Sequence, residues 1–194
     1  MLLLDLDLSK ASDRIPRTFT LALLRHMGLP SELLGALRGW HAKANFRYKY
    51  RTGHGRPWTT TNGFPQGCCL SCVIMNALVA TWLAILKSAA LPEGVRMHLA
   101  AYADDQKITM LAAKRNLGCL DEALQQMAAL SAEWAEDTDQ GYNGHKSQLW
   151  VSHPSLQQHY EGRLTIQGQQ VPTATTITHL GRTSQLPIPP ESGW

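Results

Sequence analysis

Alternation of leucine with aspartate opens the chain. Residues 2–8 place Leu4, Leu6 and Leu8 on one face of an extended segment and Asp5 and Asp7 on the other, the period of a half-buried strand. Two further apolar runs, Met97-His98-Leu99-Ala100-Ala101 and Ile108-Thr109-Met110-Leu111, flank Tyr102-Ala103-Asp104-Asp105. That pattern predicts strands over 96–101 and 107–112 joined by a tight turn. Helical periodicity marks 17–27, 31–44 (opened by Pro30-Ser31) and 116–136, where Leu117, Leu120, Leu124, Met127 and Trp134 share a face. Residues 69–89 are apolar over most of their circumference and predict a long buried helix ending before Pro92. A strand pair is expected from 46–51 and 58–62 around Gly53-His54-Gly55. Short strands are expected near 148–152, 164–166 and 169–171, ahead of a Pro-rich tail. Together these elements predict an α+β fold, an antiparallel sheet packed against helices.

Composition adds bounds. With 194 residues and 44% hydrophobic content there is chain enough for one core and not for several domains. The net charge of +3 is uninformative until its distribution is considered. No Asp or Glu occurs from Leu33 to Pro92, while Arg47, Lys49, Arg51 and Arg56 alternate there with Tyr48, Tyr50, His54 and Trp58. Basic residues interleaved with aromatics suit a surface that tracks phosphates and stacks bases. Cys68, Cys69, Cys72 and Cys119 lack zinc-finger spacing and a secretory signal, so they are expected to be small buried thiols in a reducing compartment. No run reaches 18 uninterrupted apolar residues, so no membrane is expected, and the place expected is inside the cell, nucleus or cytoplasm, not secreted.

The chemistry resides in carboxylates. Asp104 and Asp105 at a hairpin tip are hard to neutralise except with a cation, and oxygen-only ligands of this kind suit Mg²⁺ together with substrate phosphates. Taken singly the pair is weak evidence, because Asp favours turns for backbone reasons. Asp7 at the end of the first strand is placed to join it, although a strand-end carboxylate also serves simply as a cap. The loop Asn62-Gly63-Phe64-Pro65-Gln66-Gly67-Cys68-Cys69-Leu70-Ser71 brings glycines close to a helix start, which suits phosphate or a nucleic-acid backbone.

In order along the chain, these segments resemble the palm of a reverse transcriptase of the non-LTR retrotransposon and group II intron branch. Asp7-Leu8-Ser9-Lys10-Ala11-Ser12-Asp13-Arg14 is similar to that family's first catalytic motif and Gly63–Ser71, with Asn76 following, to its Pro-Gln-Gly motif. Tyr102-Ala103-Asp104-Asp105 is similar to the third, Gly141-Tyr142-Asn143-Gly144-His145-Lys146-Ser147 to the fourth, and Thr178-His179-Leu180-Gly181 to the primer grip. The resemblance spans residues 1–182, with 183–194 as a tail.

The resemblance implies an RNA-directed DNA polymerase that moves a nucleotide from a dNTP to the 3′-hydroxyl of a DNA or RNA primer on an RNA template. Asp7, Leu8, Asp104 and Asp105 would hold two Mg²⁺ ions, with Mn²⁺ as the alternative. Lys146 would neutralise departing pyrophosphate, although a solvated loop lysine accounts for it equally well. Leu8, Ser12, Asp13, Pro65, Gln66, Gly67, Tyr102 and Ala103 would contact substrate, and Arg47, Lys49, Arg51, Leu180 and Gly181 nucleic acid. Ser12 departs from the family's aromatic residue, which excludes a ribose 2′-hydroxyl, and the spelling Asp-Leu-Ser-x-Ala-Ser-Asp also resembles the first motif of viral RNA replicases. Fingers and thumb, which flank the palm in the family, are expected to be largely absent, as in a piece of a larger polyprotein with little activity alone. A non-enzymatic, nucleic-acid-binding relic of a retroelement is the competing reading.

Overall fold

A computed structural model describes residues 1–42, 47–60, 62–64, 69–174, 176–179 and 182–184. Its strands in chain order are β1 (Leu2–Asp7), β2 (Lys49–Tyr50), β3 (Gly53–His54), β4 (Val95–Tyr102), β5 (Asp105–Ala112), β6 (Gln148–Val151), β7 (Thr165–Ile166), β8 (Gln169–Gln170), β9 (Thr173–Ala174), β10 (Ile177–His179) and β11 (Arg182–Ser184). The helices are α1 (Ala11–Arg14), α2 (Arg17–His26), α3 (Ser31–Ala42), α4 (Cys69–Ser88), α5 (Leu117–Asp137) and α6 (Pro154–Tyr160). The chain divides into two compact units, one of Met1–Ser9 with Val79–Trp194 and one of Lys10–Leu78.

The first unit is built on a five-stranded sheet in the order β4-β5-β1-β6-β9. The alternation of β1 works as its pattern predicts: Leu2, Leu4 and Leu6 are completely buried while Asp5 and Asp7 stay partly exposed on the opposite face. Antiparallel neighbours flank β1 on both sides, and β9 adds a short parallel edge to β6. Helix α5 contributes Leu120, Ala123, Leu124, Met127 and Trp134 to the core. The far half of α4 is tied to α5 by two indole bonds, Trp82 Nε1 to Ser131 Oγ at 3.0 Å and Trp134 Nε1 to Thr81 Oγ1 at 2.8 Å.

By length and composition α4 could cross a membrane over Leu70–Ser88. In the structure one side of it is buried. Ile74, Leu78, Trp82 and Leu86, four residues apart, are enclosed by protein, and Val73, Asn76 and Lys87 face out. The helix is therefore one-sided, not buried all round. Cys72 lies on its exposed face and Cys119 is half-buried, so the expectation of buried thiols fails at Cys72.

In the second unit, α2 and α3 pack against each other and β2 pairs with β3. This hairpin differs from the expected one. Lys49 faces His54 and Tyr50 faces Gly53, so the turn falls at Arg51-Thr52, and Gly53-His54 form the returning strand. Asn62 bridges to Pro16 instead of extending the pair. Helices α1 and α6, strand β9 and the β10–β11 pair were not predicted.

Candidate active site

Strands β4 and β5 meet in a two-residue turn, Ala103-Asp104, with Tyr102 paired to Asp105 across it. Ala103 has φ of +53°, and Asp104 is not among the left-handed residues, the signs of a type II′ hairpin turn. An alanine held in this region is strained. The turn leaves Asp104 in solvent and Tyr102 83% exposed. Continuing the ladder, β1 pairs with β5 so that Asp7 lies directly opposite Asp105. Two acids from distant parts of the sequence thus sit side by side at the ends of adjacent central strands.

Asp5 and Asp7 share a face and have different surroundings. Asp5 Oδ2 accepts the Lys107 ammonium at 2.7 Å, whereas the Lys146 ammonium is 4.0 Å from Asp7. Burial raises the Asp7 carboxyl above its ordinary value of 3.8; Lys146 opposes this, and the charges of Asp104, Asp105 and Asp5 add to it. Asp5 is thus closely paired, whereas Asp7 has only the more distant Lys146.

The loop 141–147 holds the end of β1. Ser147 Oγ accepts the Asp7 N–H at 3.1 Å, Asn143 N–H donates to the Asp7 carbonyl at 2.8 Å, and Ser9 N–H donates to the Gly141 carbonyl at 2.6 Å. These bonds bracket the Leu8–Tyr142 bridge and leave the Leu8 carbonyl out of it. The loop is itself secured from behind, where Gln167 Oε1 and Gln169 Oε1 accept the N–H groups of Tyr142 and Gly144, each at 2.8 Å. Asn143 and Ser147 position Asp7 through its backbone. They stood inside a segment singled out for Lys146, and nothing in their residue types distinguished them. Lys146 itself is 69% exposed, free to swing toward a ligand.

Within the Lys10–Leu78 unit, α1 is stitched to the glycine-rich loop. Phe64 N–H donates to the Ser12 carbonyl and Gly63 N–H to the Ile15 carbonyl, both at 2.9 Å. Gly63 has φ of +81°, and a Cβ there would lie 2.6 Å from the Asp13 carbonyl oxygen, so only glycine fits. Arg17, buried at the start of α2, holds the same loop. Its Nε donates to the Gly63 carbonyl at 3.0 Å, and its two terminal nitrogens donate to the Thr60 carbonyl and hydroxyl, both at 2.6 Å. Burial lowers its pKa. The one sequence signal for Arg17 is a charge directly after Pro16, at the start of an amphipathic helix. Ser12 is half-buried and Asp13 exposed, while Arg47, Lys49 and Arg51 lie on the exposed β2–β3 hairpin. Pro65, Gln66 and Gly67 lie outside the described residues, as do Leu180 and Gly181, which follow β10 in sequence.

Among the described residues no three His, Cys, Asp or Glu side chains are grouped closely enough to enclose a metal ion by themselves. Register brings Asp7 to Asp105, and Asp104 lies within electrostatic reach, without closing a protein cage. This donor set fits Mg²⁺, which takes one or two carboxylates and completes its shell with substrate phosphates and water. It also fits in charge, since a cation would relieve the repulsion and desolvation at Asp7.

Comparison with known proteins agrees with this geometry. No curated protein matches the sequence. Among solved structures, the chain is similar to a telomerase from Candida albicans in complex with a TWJ fragment of telomeric RNA, with a TM-score of 0.56 at 12% identity over 94% of this chain. The chain spans 29% of that telomerase chain's length, and the likeness is one of fold. The family model for reverse transcriptase (RNA-dependent DNA polymerase) matches residues 1–183. With its two central-strand acids in register and that match over nearly its whole length, the chain belongs to the reverse transcriptase family.

Proposed function

We propose that this palm, of the non-LTR retrotransposon and group II intron kind, catalyses RNA-directed DNA synthesis, transferring a nucleotide from a dNTP to a primer 3′-hydroxyl. The observation that carries the proposal is the pairing of Asp7 with Asp105 across β1 and β5, with Asp104 in the turn beside them. Asp7, the Leu8 carbonyl, Asp104 and Asp105 are the groups that would hold Mg²⁺, which when bound stabilises the attacking and leaving oxygens of phosphoryl transfer. The residues of the chain supply the rest. Ser147 and Asn143 fix the backbone of Asp7, so the strand end that carries its carboxylate is held before substrate arrives. The Ala103-Asp104 turn keeps the second carboxylate in solvent, where a triphosphate can reach it. Lys146, close to Asp7 and mobile on its exposed stem, neutralises charge as pyrophosphate leaves. Charge distribution supports a polyanionic template and primer: Lys10–Leu78 carries ten Lys and Arg against Asp13 and Glu32.

Serine at position 12 favours a second reading on one point, tolerance of ribonucleotides, because it lacks the ring that blocks a 2′-hydroxyl. The test for both is primer extension on an RNA template with Mg²⁺, using separate dNTP and rNTP pools and an Asp104→Ala control. Extension with dNTPs that is lost in the control is the expected result. Extension with rNTPs alone would move the chain to RNA synthesis. No extension from folded protein would reduce the site to a relic of the family in this chain.

A further inference from the structure

Strand β5 places Gln106, Ile108 and Met110 on its core face, all completely buried. An amide in such a row opposes folding unless both of its ends are bonded, and among the described residues Gln106 Nε2 has no partner. The other end, Oε1, accepts the Tyr142 hydroxyl at 2.6 Å. Gln106 directly follows Asp105, and Asp7 with Asp105 is the last pair of the β1–β5 ladder. On its other side β1 leaves β6 after Asp5 pairs with Gln148, so beyond that point the strand end depends on the loop 141–147. Tyr142 lies in that loop and is 2% exposed. Its backbone bridges to Leu8, its N–H donates to Gln167 Oε1 at 2.8 Å, and its side chain reaches under β1 to Gln106. The hydroxyl also has Ser131 as a neighbour, which accepts the Trp82 indole N–H at 3.0 Å, so the contact is rooted in α5 and α4. Above it, the like charges of Asp7, Asp104 and Asp105 push the two strand ends apart.

We infer that Tyr142 and Gln106 are positioning residues for the carboxylate pair: their buried bond clasps β1 to β5 beneath Asp7 and Asp105 and holds the two acids at the spacing a divalent cation requires. The inference rests on the metal-holding role proposed above for these acids. The bond closes a circuit that runs from Asp7 through Leu8 to Tyr142, across to Gln106, and back through Asp105 to Asp7. Both side chains are buried on the core face, so they act on the acids through the backbone. Without the clasp, the acids would be joined only by a terminal ladder pair, the part of a sheet that opens first. A bond kept for stability alone would be served as well by apolar side chains of similar size, with no amide end left over.

The experiment titrates the full chain with Mn²⁺ well below Tm, reading the free ion by electron paramagnetic resonance. The parent is run beside Tyr142→Phe, the double variant Tyr142→Phe/Gln106→Met, and Asp104→Ala, with circular dichroism to show each one folded. Tyr142→Phe should weaken Mn²⁺ binding roughly 10-fold, the lower end of the effect of groups that orient metal ligands. The double variant, whose Tm should lie close to the parent's, should show the same loss; it carries the test alone if Tyr142→Phe is too unstable to titrate. Amide exchange followed by NMR in EDTA gives a reading free of metal. The Asp7 and Asn143 N–H groups should exchange about 5-fold faster in the double variant, the effect of one neutral hydrogen bond, while amides at the middle of β5 keep the parent's rate. A double variant that binds Mn²⁺ as the parent does, or that exchanges at the parent's rate at Asp7, would overturn the inference and reduce the bond to a core contact. Loss of binding in Asp104→Ala together with an unchanged double variant removes the inference and leaves the metal site standing. A parent that binds no Mn²⁺, or an Asp104→Ala variant that binds as the parent does, removes both.

Discussion

Replacing Tyr142 with phenylalanine should cost more than the loss of one hydroxyl suggests. The Tyr142 hydroxyl donates to Gln106 Oε1 at 2.6 Å in an environment closed to water, with Ser131 as a second hydrogen-bonding neighbour. Burial holds the phenol well above its ordinary range, so it remains a neutral donor. Gln106 directly follows the paired Asp105, is fully buried, and already has one amide end, Nε2, without a partner. Tyr142→Phe leaves both ends of that amide unsatisfied. An abandoned buried acceptor costs about 1–3 kcal/mol, because the desolvation is no longer offset. In a chain of this length each kcal/mol lowers Tm by roughly 2–4 °C. Adding Gln106→Met removes the stranded amide, so the double variant should recover most of the loss and show a coupling of about 0.5–3 kcal/mol. Urea melts followed by circular dichroism give the free energies, provided m is unchanged across the set. Strict additivity, or a Tyr142→Phe cost below about 0.5 kcal/mol, would refute the claim that this bond is closed to water.

Other outcomes follow from the same geometry. Gly63→Ala should destabilise by at least about 1–3 kcal/mol, through its positive φ and the collision with the Asp13 carbonyl, read as a lowered Tm. Arg17→Met should raise KM for dNTP in primer extension more than it lowers kcat, if the Thr60–Gly63 anchor serves to hold the nucleotide loop. Because the folded pKa of Asp7 lies above the unfolded one, its ionisation opposes folding at neutral pH. Asp7→Asn should therefore raise Tm at pH 7, with the gain shrinking as pH falls through the folded pKa and gone below 3.8. Mg²⁺ or Mn²⁺ at millimolar concentration should raise Tm of the parent by mass action and leave Asp7→Asn/Asp104→Ala unmoved; equal shifts in both would place the ion elsewhere.

Much of the site was readable because it rests on period-2 alternation and on a turn between apolar runs. The segment 2–8 could be buried only one way, and that choice put Asp5 and Asp7 together on the other face. What separated them was not local. Asp5 is neutralised by Lys107, its cross-strand partner, a pairing fixed by tertiary register. The β2–β3 turn was misplaced because Gly53-His54-Gly55 looks like the turn, whereas Arg51-Thr52 carries no turn signal and Gly53 and His54 lie within the returning strand. Cys72 was assigned to the core from composition, and the one-sided burial of α4 put it in solvent. The bonds of Ser147 and Asn143 to Asp7 join residues far apart in the chain through the backbone of Asp7, which its side-chain chemistry does not advertise.

The central place of β1 also governs the order in which the molecule assembles. One neighbour, β5, begins at Asp105 and the other, β6, ends at Val151, so β1 has no partner until synthesis has passed Asp105. Closing loops of that length before any pairing is gained makes folding slow, in the millisecond-to-second range expected of non-local topologies. Through that interval Leu2, Leu3 and Leu4 remain an unpaired apolar segment open to wrong partners. Asp7 meets Asp105 only when this long-range closure is made, so the chain acquires its carboxylate pair with the tertiary sheet and not before it.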